Sequence, residues 1–159
     1  MILVFNASPL IVLAKAGLLD DVLKVADQAF IPLSVAQEIA MCSNSCDPAR
    51  KWIESEKSQK HLVDVKTISN FVMAWDLGAG ESSVISFMEN IPLSYGVLDD
   101  LAARRCAAAL QLKVIGTLGL LLLASKKGIF PSLQECVHSV IAAGLFISPK
   151  HLEVILAEQ

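Results

Sequence analysis

The sequence predicts an α/β fold of three layers, with helices on both faces of a central, mainly parallel sheet. Three observations predict it. Runs of strand length alternate along the chain with segments of helical period, as in strand–helix–strand units with right-handed crossovers. Apolar runs occupy strands and helices alike, which suits a sheet covered on both faces. The chain has 159 residues, 54% of them hydrophobic and only 18% charged. It can therefore bury a core without staples and is too apolar for disorder. One domain over residues 1–159 is expected.

Taken in order, Met1–Phe5 reads as a buried strand. Ser8 suits an N-cap and Pro9 the first helical position, so a short helix is expected over Leu10–Ala16, stopped by Gly17. A second helix should run over Leu18–Val25. Ala29–Ile31 reads as a short strand, with Pro32 starting a helix through Ile39. Cys42–Pro48 is a polar turn region, Ala49–Lys57 helical, and His61–Val65 an edge strand by its alternation. Leu77–Gly80 is a turn into a helix over Gly80–Glu89. Ser94–Leu98 is a strand, and Asp99 and Asp100 open a helix to Leu110. Lys113–Gly116 is the last strand, and Thr117 should cap a helix through Ser125, ended by Lys126–Gly128. Two further helices, split around Gly144–Pro149, complete the chain. Met1–Phe5, Ser94–Leu98 and Lys113–Ile115 are expected to be neighbouring strands.

The net charge of −3 argues against a protein that coats nucleic acid non-specifically, which needs many Lys and Arg. It is compatible with an enzyme on nucleic acid, because a carboxylate cluster lowers net charge and is neutralised locally by metal. Cys42, Cys46, Cys106 and Cys136 include one close pair, but no second pair follows, and His61, His138 and His151 are scattered. Free thiols in a reducing compartment are the better reading than zinc. No basic leader precedes Met1–Phe5, and Leu118–Ala124 is shorter than the roughly twenty residues that span a bilayer. A cytoplasmic protein without a membrane partner is expected.

In an open parallel sheet, ligands bind beyond the carboxyl ends of the strands. Asn6, the Asp99–Asp100 pair and Thr117 each follow a predicted strand and should share one edge. Glu81, Val84, Ile85 and Met88 fall at helical spacing, which puts Glu81 on an apolar stripe at a helix tip. A carboxylate there needs a partner or a metal. Glu38, next to Ile39 and three residues after Val35, borders another stripe. Each has a plainer reading. Asn6 or an Asp can cap or turn, Glu81 can complement a helix dipole, Glu38 can be solvated, and Asp100 can pair with Arg104 at i, i+4. The grouping favours a metal, and an oxygen-only set suits Mg²⁺ or Mn²⁺.

Five stretches in order, Asn6–Ile11, Pro32–Glu38, Leu77–Glu81, Leu98–Arg104 and Val114–Gly119, resemble a PIN-domain protein. That superfamily of small metal-dependent ribonucleases includes the VapC-type toxins. Gly128 onward, with Gly144–Ser148, is similar to a mostly uncharacterised branch of it. The resemblance covers nearly the whole chain and implies the PIN-like α/β/α fold. It places the acidic set on Asn6, Glu38, Glu81 and Asp100, with Asp99 close beside. Asn6, Glu81, Asp99 and Asp100 would hold metal, and Glu38, Glu81 and Asp100 would be catalytic. Ser8 and Thr117 would support the site, and Arg104 or Arg105 would meet substrate phosphate. The departure is Asn6, where the pattern usually has Asp. Its carbonyl oxygen can still face a metal, but without charge. The implied activity is metal-dependent hydrolysis of RNA, as the toxin of a toxin–antitoxin pair. The implied partners are an RNA substrate, a small antitoxin and a second copy of the chain. Leu145–Ile147 and Leu120–Leu123 are the apolar segments expected to drive self-association.

Two rivals stand beside this reading. The first keeps the fold and makes the domain a weakened nucleic-acid or protein-binding module, because of Asn6. The second is another small α/β class. A phosphoryl-transfer receiver needs an acidic pair after strand one, and a haloacid-dehalogenase-like phosphatase needs Asp-x-Asp there. Here strand one ends at Asn6 and the Asp pair comes late.

Overall fold

Five strands pair in the order β3-β2-β1-β4-β5, all parallel, in a computed structural model that describes residues 1–42 and 44–157. The strands are β1 (Ile2–Phe5), β2 (Gln28–Pro32), β3 (Leu62–Val63), β4 (Ser94–Val97) and β5 (Lys113–Ile115). Ile2 to Phe5 pair with Ser94 to Val97, and Tyr95 to Val97 pair with Lys113 to Ile115, so the three strands expected to be neighbours are neighbours. Helices lie on both faces, giving the three-layer α/β/α architecture.

The helices before β3 are α1 (Ala7–Lys15), α2 (Leu19–Val22), α3 (Leu33–Cys42), α4 (Pro48–Ile53) and α5 (Glu56–Gln59). After β3 come α6 (Asn70–Met73), α7 (Ala79–Met88), α8 (Leu101–Ala109), α9 (Thr117–Lys126), α10 (Leu133–Ala142) and α11 (Pro149–Ala157). Leu3, Val4 and Phe5 of β1 are fully buried among Ile31, Val35, Ile85, Val97, Leu98 and Leu120, in one continuous cluster. No helix among the described residues is long and apolar enough to cross a membrane.

Several boundaries differ from the sequence expectation for local physical reasons. Asn6, not Ser8, is the N-cap of α1. The β1–β4 ladder runs on into Asn6, whose N–H donates to the Val97 carbonyl at 3.3 Å, and the helix starts at the next residue. Pro9 then falls in the first turn, where a missing N–H costs little. The stop is as expected, at Gly17 with φ +72. The second helix tightens after Val22 into a 3-10 turn, Leu23–Val25. Pro32 ends β2, opposite Val63, rather than opening α3. The helix expected over Ala49–Lys57 is two helices. Asp47 caps the first through the Ala49 N–H at 2.9 Å with Pro48 at its start, and it breaks where the Ser55 hydroxyl donates to the Trp52 carbonyl.

β3 is an edge strand as expected, but of two residues only. Helix α6, without counterpart in the sequence reading, begins at Ser69, whose hydroxyl accepts from the Val72 N–H. The turn region Cys42–Pro48 lies partly outside the described residues, as does the Cys42 side chain. Cys46, Cys106 and Cys136 are free thiols. Leu120 and Leu121, expected to leave apolar surface, are fully buried, whereas Phe146 is 93% exposed.

Candidate metal centre

The strand order reverses at β1 and β4: the chain runs from β1 outward to β3, then returns to β4 and out to β5. Such a switch point opens a crevice at the carboxyl ends of the two strands. Asn6 leaves β1 there, and Asp99 and Asp100 leave β4 beside it.

Asn6 is 5% exposed, and its Oδ1 is buried with no hydrogen-bond partner. Although Asn6 occupies the N-cap position of α1, its side chain does not bond that helix. A buried, unpaired amide oxygen is costly unless something meets it. Gly80, the second residue of α7, is where the other groups gather. A Cβ there would lie 2.7 Å from Glu38 Oε2, 3.0 Å from Asn6 Oδ1 and 3.2 Å from Val35 Cγ2. The missing side chain therefore leaves space that oxygens from β1 and α3 border together.

Glu81, next along α7, is half-buried and accepts the Gly78 N–H at 3.2 Å. It thus completes part of a capping box at the tip of its own helix. Burial pushes its carboxyl above the usual range. The Gly78 hydrogen bond works in the opposite direction, and the charges of Asp100 and Glu38 add to the upward shift. Asn6, Glu38, Glu81 and Asp100, from four distant parts of the sequence, thus share one neighbourhood. Asp100 is exposed and caps α8, its Oδ1 accepting the Ala103 N–H at 2.9 Å. Among the described residues it makes no ion pair with Arg104, the plainer reading of that pair.

Asp99 is turned the other way. Its two oxygens accept the Thr117 N–H at 2.8 Å and the Thr117 hydroxyl at 2.6 Å. Thr117 is fully buried. Its hydroxyl is committed to Asp99, so it does not cap its own helix, and Gly116 takes the N-cap position. Asp99 places a negative charge at the start of α9, where the helix dipole favours it. Ser8 is exposed and makes no hydrogen bond to Asn6 among the described residues, and Arg105 is exposed on α8. Arg104 is half-buried and donates to the Leu98 carbonyl at 3.3 Å.

Among the described residues, no three Asp, Glu, His or Cys side chains come close enough to hold one ion among themselves. Asp99, Asp100 and Glu81 each turn to a backbone N–H or hydroxyl. The donor chemistry nevertheless fits a hard divalent cation. The unpaired Asn6 Oδ1 and the space at Gly80, bordered by Glu38, supply oxygen donors only.

Sequence reasoning missed Gly80, Gly116 and the Asp99–Thr117 tie. The first left a legible trace, a glycine in a helical turn immediately before the carboxylate on the apolar stripe. A cleft of about 780 Å³ adjoins the site, lined by Asp99, Leu101, Arg104, Gly116, Leu118 and Phe146 among others. Another, of about 660 Å³ with Trp52, Lys57 and His61 in its wall, lies at the amino ends of β2 and β3, away from the carboxylates.

A family model described as a PIN domain matches residues 2–159. No curated protein and no solved structure matches the chain significantly. PIN domains have a nuclease-type fold and generally use divalent metals, in agreement with the oxygen donors gathered at the switch point. With the match spanning almost the whole length, the chain belongs to the PIN domain family.

Proposed function

We propose that the protein is a metal-dependent ribonuclease that hydrolyses RNA phosphodiester bonds with Mg²⁺ or Mn²⁺. The observation that carries this reading is the buried, unpartnered Asn6 Oδ1 facing the same space as Glu38. The charges of Asp100 and Glu38 reach Glu81 and add to the upward shift of its carboxyl. Asn6, Glu81 and Asp100 would hold the ion, while the two oxygens of Asp99 are committed to Thr117. When bound, such an ion would polarise the phosphate and lower the pKa of a water. Glu38, exposed on α3, orients the attacking water and accepts its proton. Asp99 and Thr117 hold β4 and α9 together, fixing the backbone from which Asp100 projects. Arg104 and Arg105 meet substrate phosphates. The partners of this reading are RNA, a small antitoxin, with the chain as its toxin, and a second copy of the chain. Co-purification with the product of an adjacent gene tests the antitoxin, and light scattering tests the dimer.

Cleavage of single-stranded RNA should be weak, faster with Mn²⁺ than with Mg²⁺, and abolished in Asp100→Ala. A second reading, a PIN-like binding module without turnover, is favoured by the uncharged Asn6 and by the lack of three converging acids among the described residues. RNA binding without cleavage under either ion, in wild type and in Asn6→Asp alike, would select it.

A further inference from the structure

A cleft of about 780 Å³ adjoins the candidate centre. Asp99 lies in its wall, and Leu101, also in the wall, follows Asp100 directly. Its size suits a small organic ligand or one unit of a polymer. Most of the lining is apolar: Leu101, Val114, Ile115 and Leu118, together with Leu145, Phe146 and Ile147 of the segment between α10 and α11. Two of these side chains are open to solvent to an unusual degree, Leu101 at 59% and Phe146 at 93%. An aromatic ring so exposed at a cleft mouth offers a face on which a planar group can stack.

Among the described residues, the one cation in this wall is Arg104. Its Nη1 donates to the Leu98 carbonyl at 3.3 Å, and it has no carboxylate partner among the described residues. Gly116 makes room for it, since a Cβ there would lie 2.9 Å from that Nη1. The other guanidinium donors of a group always charged at neutral pH are left for an anion. An apolar wall with an exposed ring, a guanidinium with free donors, and continuity with the phosphodiester site together describe the two halves of a nucleotide.

We propose that this cleft is a nucleotide subsite. It holds the unpaired base next to the bond to be cut, stacked on Phe146 against Leu101 and Leu118, with that nucleotide's phosphate on Arg104. The inference rests on the ribonuclease reading for its position relative to the scissile bond. A stacked base is recognised by its face, so the subsite tolerates sequence and requires an unpaired strand.

The test is fluorescence anisotropy of labelled single-stranded RNA, with Asp100→Asn protein and Mn²⁺ so that the strand stays intact. Each experiment is repeated on RNA carrying a single abasic nucleotide at successive positions. Phe146→Ala, a change at an exposed position, should weaken binding of intact RNA about tenfold. It should have no further effect on RNA that is abasic at the one position occupying the cleft. Arg104→Ala should flatten the salt dependence of binding by about one unit of slope, and Arg104→Lys should restore that slope. Unchanged affinity in Phe146→Ala, or an equal loss on intact and on every abasic RNA, would overturn the subsite. So would a dimer that Phe146→Ala converts to monomer with RNA affinity unchanged, which would make this face a contact between copies. Metal-dependent cleavage that Phe146→Ala leaves untouched refutes the subsite and keeps the ribonuclease reading. A chain that never cleaves but shows the abasic pattern does the reverse, and a chain that binds no RNA refutes both.

Discussion

Adding a single methyl group at Gly80 tests the candidate centre most directly. In Gly80→Ala the new Cβ meets Glu38 Oε2 at 2.7 Å, Asn6 Oδ1 at 3.0 Å and Val35 Cγ2 at 3.2 Å unless they move. Helix propensity alone favours alanine by about 0.8–1 kcal/mol. Overpacking opposes it by about 1–3 kcal/mol. The three neighbours do not yield equally. Glu38 is exposed and swings outward, whereas Asn6 and Val35 are buried and held by β1 and α3. The net destabilisation should be about 1 kcal/mol, a fall in Tm of roughly 2–4 °C for a chain of this size. The effect on metal should be larger, because both displaced oxygens border the proposed ion. Donor shifts of several tenths of an ångström should lower Mn²⁺ affinity about 10- to 100-fold. Calorimetric titration of Mn²⁺ into wild type and variant reads this, with a thermal scan of each without metal. A Gly80→Ala protein that binds Mn²⁺ within twofold of wild type would refute the argument that Asn6 and Glu38 face one ion across this glycine.

Asn6→Asp should strengthen Mg²⁺ binding more than Mn²⁺ binding, because Mg²⁺ depends more on ligand charge to shed its water. Without metal the same variant should lose about 1–3 kcal/mol at neutral pH from the buried charge, so thermal scans with and without ion should diverge. Asp99→Ala leaves the buried Thr117 hydroxyl and its N–H without their acceptor and should cost about 2 kcal/mol, more than Thr117→Val, which loses one hydrogen bond of about 1 kcal/mol. Equal losses in urea unfolding would show that Asp99 does not anchor the start of α9. Glu81 has its carboxyl raised from 4.5 by burial, so its charged form is the disfavoured one in the fold. The resulting cost is absent below the unfolded pKa and fully present above the raised one. Glu81→Gln should therefore stabilise the metal-free protein at neutral pH, by no more than about 1 kcal/mol for so open a group, and should give no gain near pH 3. A stabilisation that is the same at both pH values would exclude this cause.

The sequence by itself determined the parallel α/β architecture and the places where its acids could stand. Strand and helix periods are local properties, and a residue that follows a parallel strand must emerge at its carboxyl end. Asn6 and Asp100 were legible for that reason, and Glu81 because its spacing from Val84, Ile85 and Met88 put a carboxylate on an apolar stripe. Boundaries were less legible where a distant partner set them. Asn6 rather than Ser8 occupies the N-cap position of α1 because β4 extends the ladder to it, and Pro32 stays in β2 because β3 pairs opposite it. Only the tertiary structure decided how Asp99 and Asp100 divide their work. The two are adjacent, identical in chemistry and both suited to capping, so nothing local separates them. The approach of β5 and the start of α9 gives Asp99 the Thr117 hydroxyl and N–H, while Asp100 turns to α8 and the crevice. The place of Glu38 was likewise a tertiary matter. It is an exposed helical carboxylate like many others until Gly80, on a helix more than forty residues away, leaves room for its oxygen beside Asn6.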